Sequence, residues 1–264
     1  MSRVIVITSG KGGVGKTTIT ANLGIALAQK GYSVCLVDAD IGLNNLDVVL
    51  NVENKVVYDI IDCLENKCRV TQALIEMPLI ENLFVLPSSK SLEKIKINLS
   101  DYNNIIQKLK TNFDFVLIDC PAGIEKGFDL AVACATEAMV VVTPHISSVK
   151  DADRVVTILA SYKIENVTLV VNRIRGDLVA RKEMLSAYEI EKLMNIKLVG
   201  VVPDSDDIGL YNSYIFKNEI NLAVKNSFNV LAKNIINERY EQYDYLSKYK
   251  GLLGMIRRNI KRKA

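Results

Sequence analysis

The chain has 264 residues, 49% hydrophobic and 24% charged, which is enough to bury a full core as one α/β domain or two, and one is expected. Its net charge of +3 is uneven: seven cations and no acid follow residue 247, leaving −4 on residues 1–247 and arguing against broad nucleic-acid binding by the body. Five cysteines, Cys35, Cys63, Cys68, Cys120 and Cys134, are an odd number without a C-x-x-C pair, which fits reduced thiols in a cytosol-like compartment.

The first element expected, Arg3–Thr8, is an apolar, β-branched strand beginning almost at Met1, and no secretory leader is expected before it. Gly10-Lys11-Gly12-Gly13-Val14-Gly15-Lys16-Thr17-Thr18 follows it and leads into the helix-like run Ile19–Leu27. The pattern G-x-x-x-x-G-K-[ST] is complete at Gly10, Gly15, Lys16 and Thr17, in the strand–loop–helix context it requires. Glycines let backbone N–H groups converge on phosphate oxygens, and the helix N-terminus adds partial positive charge. Lys16 is placed to reach the β- and γ-phosphates, and Thr17 to ligate Mg²⁺. ATP with Mg²⁺ is therefore the expected ligand.

Lys11 is a second lysine that an ordinary phosphate loop does not need. The run Lys11–Thr18 resembles the KGGxGKT[ST] signature of the deviant Walker A ATPases, a family that includes the ParA-type partition ATPases and the nitrogenase iron protein. The resemblance implies a doubly wound, mostly parallel sheet flanked by helices. It also implies a homodimer formed on ATP, in which Lys11 crosses to the partner subunit's nucleotide.

Further along, strands are expected at Ser33–Asp38, Leu83–Leu86, Phe115–Asp119, Ala138–Thr143, Thr168–Asn172 and Lys197–Val202, alternating with helix-like segments as βα units do. The second ends Val37-Asp38-Ala39-Asp40, where strand alternation would send the two carboxylates to opposite sides. The resemblance gives Asp38 to the Mg²⁺ shell and Asp40 to the attacking water. Phe115–Asp119 followed by Cys120-Pro121-Ala122-Gly123 reads as a Walker B element, with Asp119 holding Mg²⁺ through water, and the resemblance makes the loop after it the γ-phosphate sensor. By the same resemblance Asn172 and Arg173 read the adenine, and Pro203 and Asp204 pack beside it. His145 has no partner at catalytic spacing and reads as structural. Asp151-Ala152-Asp153-Arg154 is expected to open a helix, on a surface where the resemblance places a MinE-like activator.

A charged, tyrosine-bearing helix is expected through Lys248, and the chain divides into an ATPase domain, 1–247, and a basic tail, 248–264. At helical pitch Leu252, Leu253, Met255, Ile256 and Ile260 gather on one face while Arg257, Arg258, Lys261 and Arg262 fill the other. That is the pattern of a helix lying in an anionic membrane surface. No apolar run reaches the roughly 18 residues needed to span a bilayer. One short amphipathic helix binds weakly, whereas two on one dimer gain avidity of roughly 10²–10⁴. Loop and tail together resemble the branch of the family that positions the division site, whose members recruit a MinC-like inhibitor and leave the membrane after activator-stimulated hydrolysis. The implied location is cytoplasmic, on the inner face of the cell membrane, or the stroma and inner envelope of a plastid. A ParA-type DNA segregation ATPase and a flagellar-number-regulator ATPase remain the alternatives.

Overall fold

The computed structural model describes residues 2–42, 45–78, 80–89, 97–124, 127–162, 164, 166–206 and 222–250. Strands are β1 (Arg3–Thr8), β2 (Val34–Asp38), β3 (Ile75–Glu76), β4 (Leu83–Leu86), β5 (Phe115–Asp119), β6 (Glu137–Val142), β7 (Asn166–Ile174) and β8 (Lys197–Pro203). Helices are α1 (Lys16–Ala28), α2 (Leu46–Val49), α3 (Ile60–Leu64), α4 (Val70–Ala73), α5 (Leu99–Asn112), α6 (Phe128–Ala133), α7 (Ile146–Leu159), α8 (Gly176–Ala180), α9 (Ala187–Met194) and α10 (Leu222–Asn237).

The strands form one sheet in the order β3-β4-β2-β5-β1-β6-β7-β8, parallel throughout except for the β3–β4 pair. Buried on both faces, such strands are continuous apolar runs, and period-two alternation divides them between two cores. Val4 and Val6 join one core with α3, α5, α6, α7 and α9. Ile5 and Ile7 join the other with α1, α2 and α10. From β1 the chain crosses to β2 on one side, and from β5 it crosses over to β6 on the other, so the crevice lies at the carboxyl end of β1. Among the described residues no helix is long and apolar enough to cross a membrane.

Three sequence expectations need correction. The two-residue β3 was not foreseen, because an antiparallel edge pair that short carries no periodicity. Asp151–Arg154 does not open a helix: α7 starts five residues earlier at Ile146, capped by the backbone conformation of His145 without a side-chain bond. The helix expected through Lys248 stops at Asn237, where Glu238 turns left-handed at φ 52°. Residues 238–250 instead run as a strap back across the fold, ending in one 3₁₀ turn at Ser247–Tyr249.

Asn234 fastens that strap. Its buried amide donates to the carbonyls of Val199 (2.9 Å) and Glu241 (2.6 Å) and accepts from the Glu241 N–H (3.2 Å). Gln242 donates to the Leu198 carbonyl at 2.8 Å, and the Tyr245 hydroxyl accepts the Ala187 N–H at 3.2 Å. Asn234→Ala should therefore cost about 1–3 kcal/mol in a urea titration, since it strands buried backbone groups. It should also speed proteolysis within 238–250, and unchanged cleavage there would refute the fastening. The amphipathic face expected at 251–264 lies outside the described residues.

Candidate nucleotide site

The loop Ser9–Gly15 leaves β1 at the switch point and enters α1 with Gly15 at φ 97°, a left-handed turn that favours glycine. A Cβ at Gly15 would also overlap the Asn172 amide nitrogen, and one at Gly10 would overlap the backbone carbonyl of Asp151. The loop is thus clamped between β7 and α7. Lys16 is buried, with its ammonium 3.1 Å from the Ser9 hydroxyl, which in turn donates to the Lys11 carbonyl at 2.9 Å. Lys11 differs: its side chain is exposed and makes no hydrogen bond or ion pair with the described residues.

Sheet register places the acidic groups. β2 and β5 are neighbours, and Asp38 lies directly opposite Asp119 at their carboxyl ends. Both are buried. The strand stops at Asp38, so Asp40 is set by the following turn rather than by alternation; its N–H donates to the Asp38 carboxylate at 2.9 Å, and it stays half-buried near Lys16. Burial raises Asp38 to about 8, with the Asp119 charge adding to it, against bonds from the Asp40 and Leu46 N–H groups. Burial likewise raises Asp119 to about 6, opposed by the Thr17 hydroxyl, the Lys16 charge and the Thr20 hydroxyl, which lies 3.3 Å away.

Two adjacent buried carboxyls held partly neutral want a cation, and oxygen donors suit Mg²⁺. Among the described residues no cluster of three or more His, Cys, Asp or Glu forms a cage. Mg²⁺ needs none, since it keeps waters and takes phosphate oxygens. The folded chain therefore holds protons between about pH 4 and about pH 8 that the unfolded chain has released. These groups stabilise the fold below that window and lose the effect as pH rises through it. In a chelator and without nucleotide, the urea midpoint should fall between about pH 5 and about pH 8. A level or rising profile would contradict the pair's protonation.

On β7, against the phosphate loop, Asn172 is buried; its amide donates to the Val14 carbonyl at 2.8 Å and accepts the Arg173 N–H at 2.9 Å. One N–H and one lone pair remain free of these bonds for a base edge. Arg173 is exposed and left-handed at φ 57°. Pro203 pairs with Ile174 across β7 and β8, and the Asp204 N–H donates to the Ile174 carbonyl at 3.0 Å. The loop after β5 is tied to the phosphate loop by the Gly123 N–H on the Ser9 carbonyl, 3.1 Å. Thr17 and Thr18 sit in the first turn of α1, half-buried. Asp151 touches the site through its backbone, against Gly10. Sequence reasoning missed Ser9, which bonds Lys16, and Thr20, which bonds Asp119. Helical spacing was available for Thr20, one turn beyond Lys16 and bonded to its carbonyl at 3.0 Å.

Parallel sheet, switch-point loop and paired strand-end carboxylates define a P-loop ATPase. The model of a family described as an AAA domain matches residues 2–169. The septum site-determining protein MinD of Synechocystis is 41% identical over 264 residues, covering 98% of this chain and 99% of its own. The structure of the Aquifex aeolicus MinC:MinD complex matches at TM-score 0.82 and 39% identity, covering 91% of this chain and 100% of that one. MinD from Pyrococcus horikoshii, complexed with Mg-ADP, matches at TM-score 0.77 and 31% identity over 89% of this chain and 96% of its own. The chain belongs to the septum site-determining MinD family.

Proposed function

We propose that the chain is a slow, partner-stimulated, Mg²⁺-dependent ATPase that positions a division septum by cycling between a free monomer and a membrane-bound dimer. The supporting observation is Lys11, an exposed cation on a loop whose other lysine is turned inward, in a chain matched over nearly its whole length by a septum site-determining relative. Backbone N–H groups of Gly12 to Thr18 would line the phosphates, with Lys16 neutralising the β- and γ-oxygens. Thr17 would ligate Mg²⁺, and Asp38 and Asp119 would hold its waters. When bound, Mg²⁺ would neutralise charge developing on the transferred phosphoryl group. Asp40 orients the attacking water, and Lys11 of each copy completes the other copy's site. Asn172, Arg173, Pro203 and Asp204 enclose the adenine.

Dimerisation then doubles the anchor formed by Leu252, Leu253, Ile256 and Ile260 with Arg257, Arg258, Lys261 and Arg262, so ATP sets membrane residence. A complex of a relative with MinC, and the resemblance to activator-released ATPases, support recruitment of a MinC-like inhibitor and release by a MinE-like activator acting near Asp151.

Co-sedimentation with anionic vesicles and with DNA, each with ATP and with ADP, tests the cycle. Lipid binding should require ATP, and Lys11→Ala should lose both the ATP-dependent dimer and recruitment while still binding nucleotide as a monomer. ATP-dependent binding to DNA without binding to lipid would sink the proposal and favour a ParA-type role.

A further inference from the structure

Cys63 and Cys68 are brought together by the way α3 ends. Asn66 is left-handed at φ 59°, the Asn66 N–H bonds the Cys63 carbonyl (3.2 Å), and the Lys67 N–H reaches back to the Asp62 carbonyl (2.9 Å). This chain reversal at a helix end is of the Schellman type. It folds residue 68 onto residue 63, leaving their sulfurs 3.5 Å apart with both thiols free. A disulfide needs about 2.05 Å, so closure has to bring the two sulfurs about 1.5 Å nearer.

Both thiols line a cleft of about 850 Å³ beside α5, outside the nucleotide site. Lys67, Arg69 and Lys108 line the same cleft, and no acidic residue among the described ones does. Lys67 is shared with Glu65 (2.5 Å) and Asp62 (3.5 Å), and Arg69 bonds the Gln72 amide oxygen at 3.2 Å. Cys68 is partly exposed and Cys63 buried, so an incoming reagent meets Cys68 first.

We propose that Cys63 and Cys68 form a reversible intramolecular disulfide by exchange with an anionic low-molecular-weight disulfide, with Cys68 as the entry thiol. The Cys68 thiolate attacks one sulfur of the reagent; the reagent's S–S bond breaks and one thiolate leaves. Cys63 gives its proton to solvent and attacks Cys68 Sγ, forming the protein disulfide and expelling the second thiolate. Two protein thiols are oxidised, one disulfide is reduced to two thiols, and the two protons end on the released thiols. Burial pushes the Cys63 thiol up to about 12, which slows the second step. The 3.5 Å approach offsets this by making the attack intramolecular. A dithiol reductant reverses the sequence.

The test is to treat the full-length reduced protein with glutathione disulfide, quench in acid over time and map the peptides by mass. Early samples should carry glutathione on Cys68, and late samples should have lost two hydrogens with residues 63 and 68 linked. Cys63→Ser should stop at the Cys68 adduct, and Cys68→Ser should react at least tenfold more slowly at residue 63. At low ionic strength glutathione disulfide should react several-fold faster than the cationic disulfide cystamine, and salt should shrink that ratio. An adduct on Cys68 that persists in the unmutated protein, or a bond between two chains, overturns the intramolecular disulfide. Equal or inverted reagent rates overturn the anionic class. Because the unmutated protein decides each point, misfolding of a variant does not spare the proposal.

Discussion

Lys16→Ala should leave the free protein about as resistant to urea as the parent, yet Mg-ATP should add nothing to that resistance. The Lys16 ammonium is buried with a single hydroxyl partner, Ser9, and its remaining support is the charge of Asp40 and Asp119. Removing it relieves one desolvated cation and loses that support, two effects of opposite sign that keep the net within about 1 kcal/mol. The phosphate contacts proposed for it have no substitute from a second buried cation in the loop, because Lys11 is exposed. The parent at a hundredfold excess of ligand over Kd gains about 2.7 kcal/mol. Turnover should fall by about 10²–10³, as it does when one preorganised charge-stabilising donor is removed. Urea titrations with and without Mg-ATP, together with phosphate release, measure both. Ligand stabilisation retained by the variant would mean that Lys16 is not the phosphate-facing lysine.

Gly10→Ala should do more damage than its single methyl suggests. The added Cβ would meet the carbonyl carbon and oxygen of Asp151 and the Ala152 nitrogen, all backbone atoms of α7, so no rotamer change relieves it. Either the loop lifts or the helix moves. Overpacking of this kind costs about 1–3 kcal/mol, and nucleotide affinity should drop at least about a hundredfold because near-perfect placement of loop N–H groups is what binds phosphate. Gly12→Ala is the control. Its Cβ would sit 3.8 Å from that of Ala122, an ordinary contact, so stability should change by less than about 0.5 kcal/mol. Equal losses in the two variants would show that flexibility of the glycines, not the α7 contact, governs the loop.

Which parts of the molecule could be read in advance follows from how they are built. Val4–Ile7 and Val116–Ile118 are runs of consecutive apolar residues because both faces of the sheet are covered, and such runs need no tertiary information to recognise. The loop Gly10–Thr18 was legible because its spacing is itself the geometry. The pairing of Asp38 with Asp119 was only half legible: each stood at a strand end, but their apposition depends on β2 and β5 being neighbours. Thr20 and Ser9 were passed over because a hydroxyl in a helix or beside a loop has many bland uses. The strap at 238–250 misled because a charged, tyrosine-bearing stretch reads as a helix from composition alone, while the Asn234 side chain takes up the backbone N–H and carbonyl of Glu241. The start of α7 was misplaced because nothing at His145 announces it. A C-x₄-C spacing gave no hint that a left-handed Asn66 would turn Cys68 onto Cys63.

The bond from Asn172 to the Val14 carbonyl joins residues 158 positions apart. It ties the side chain proposed above to read a purine to the loop proposed to hold a triphosphate, so on that reading the crevice is not two subsites laid end to end. Whatever the base does to that amide, the loop's curvature registers. Adenosine and inorganic triphosphate, measured apart, should not sum to the affinity of ATP; the difference is the degree to which this pocket recognises its ligand as one indivisible object.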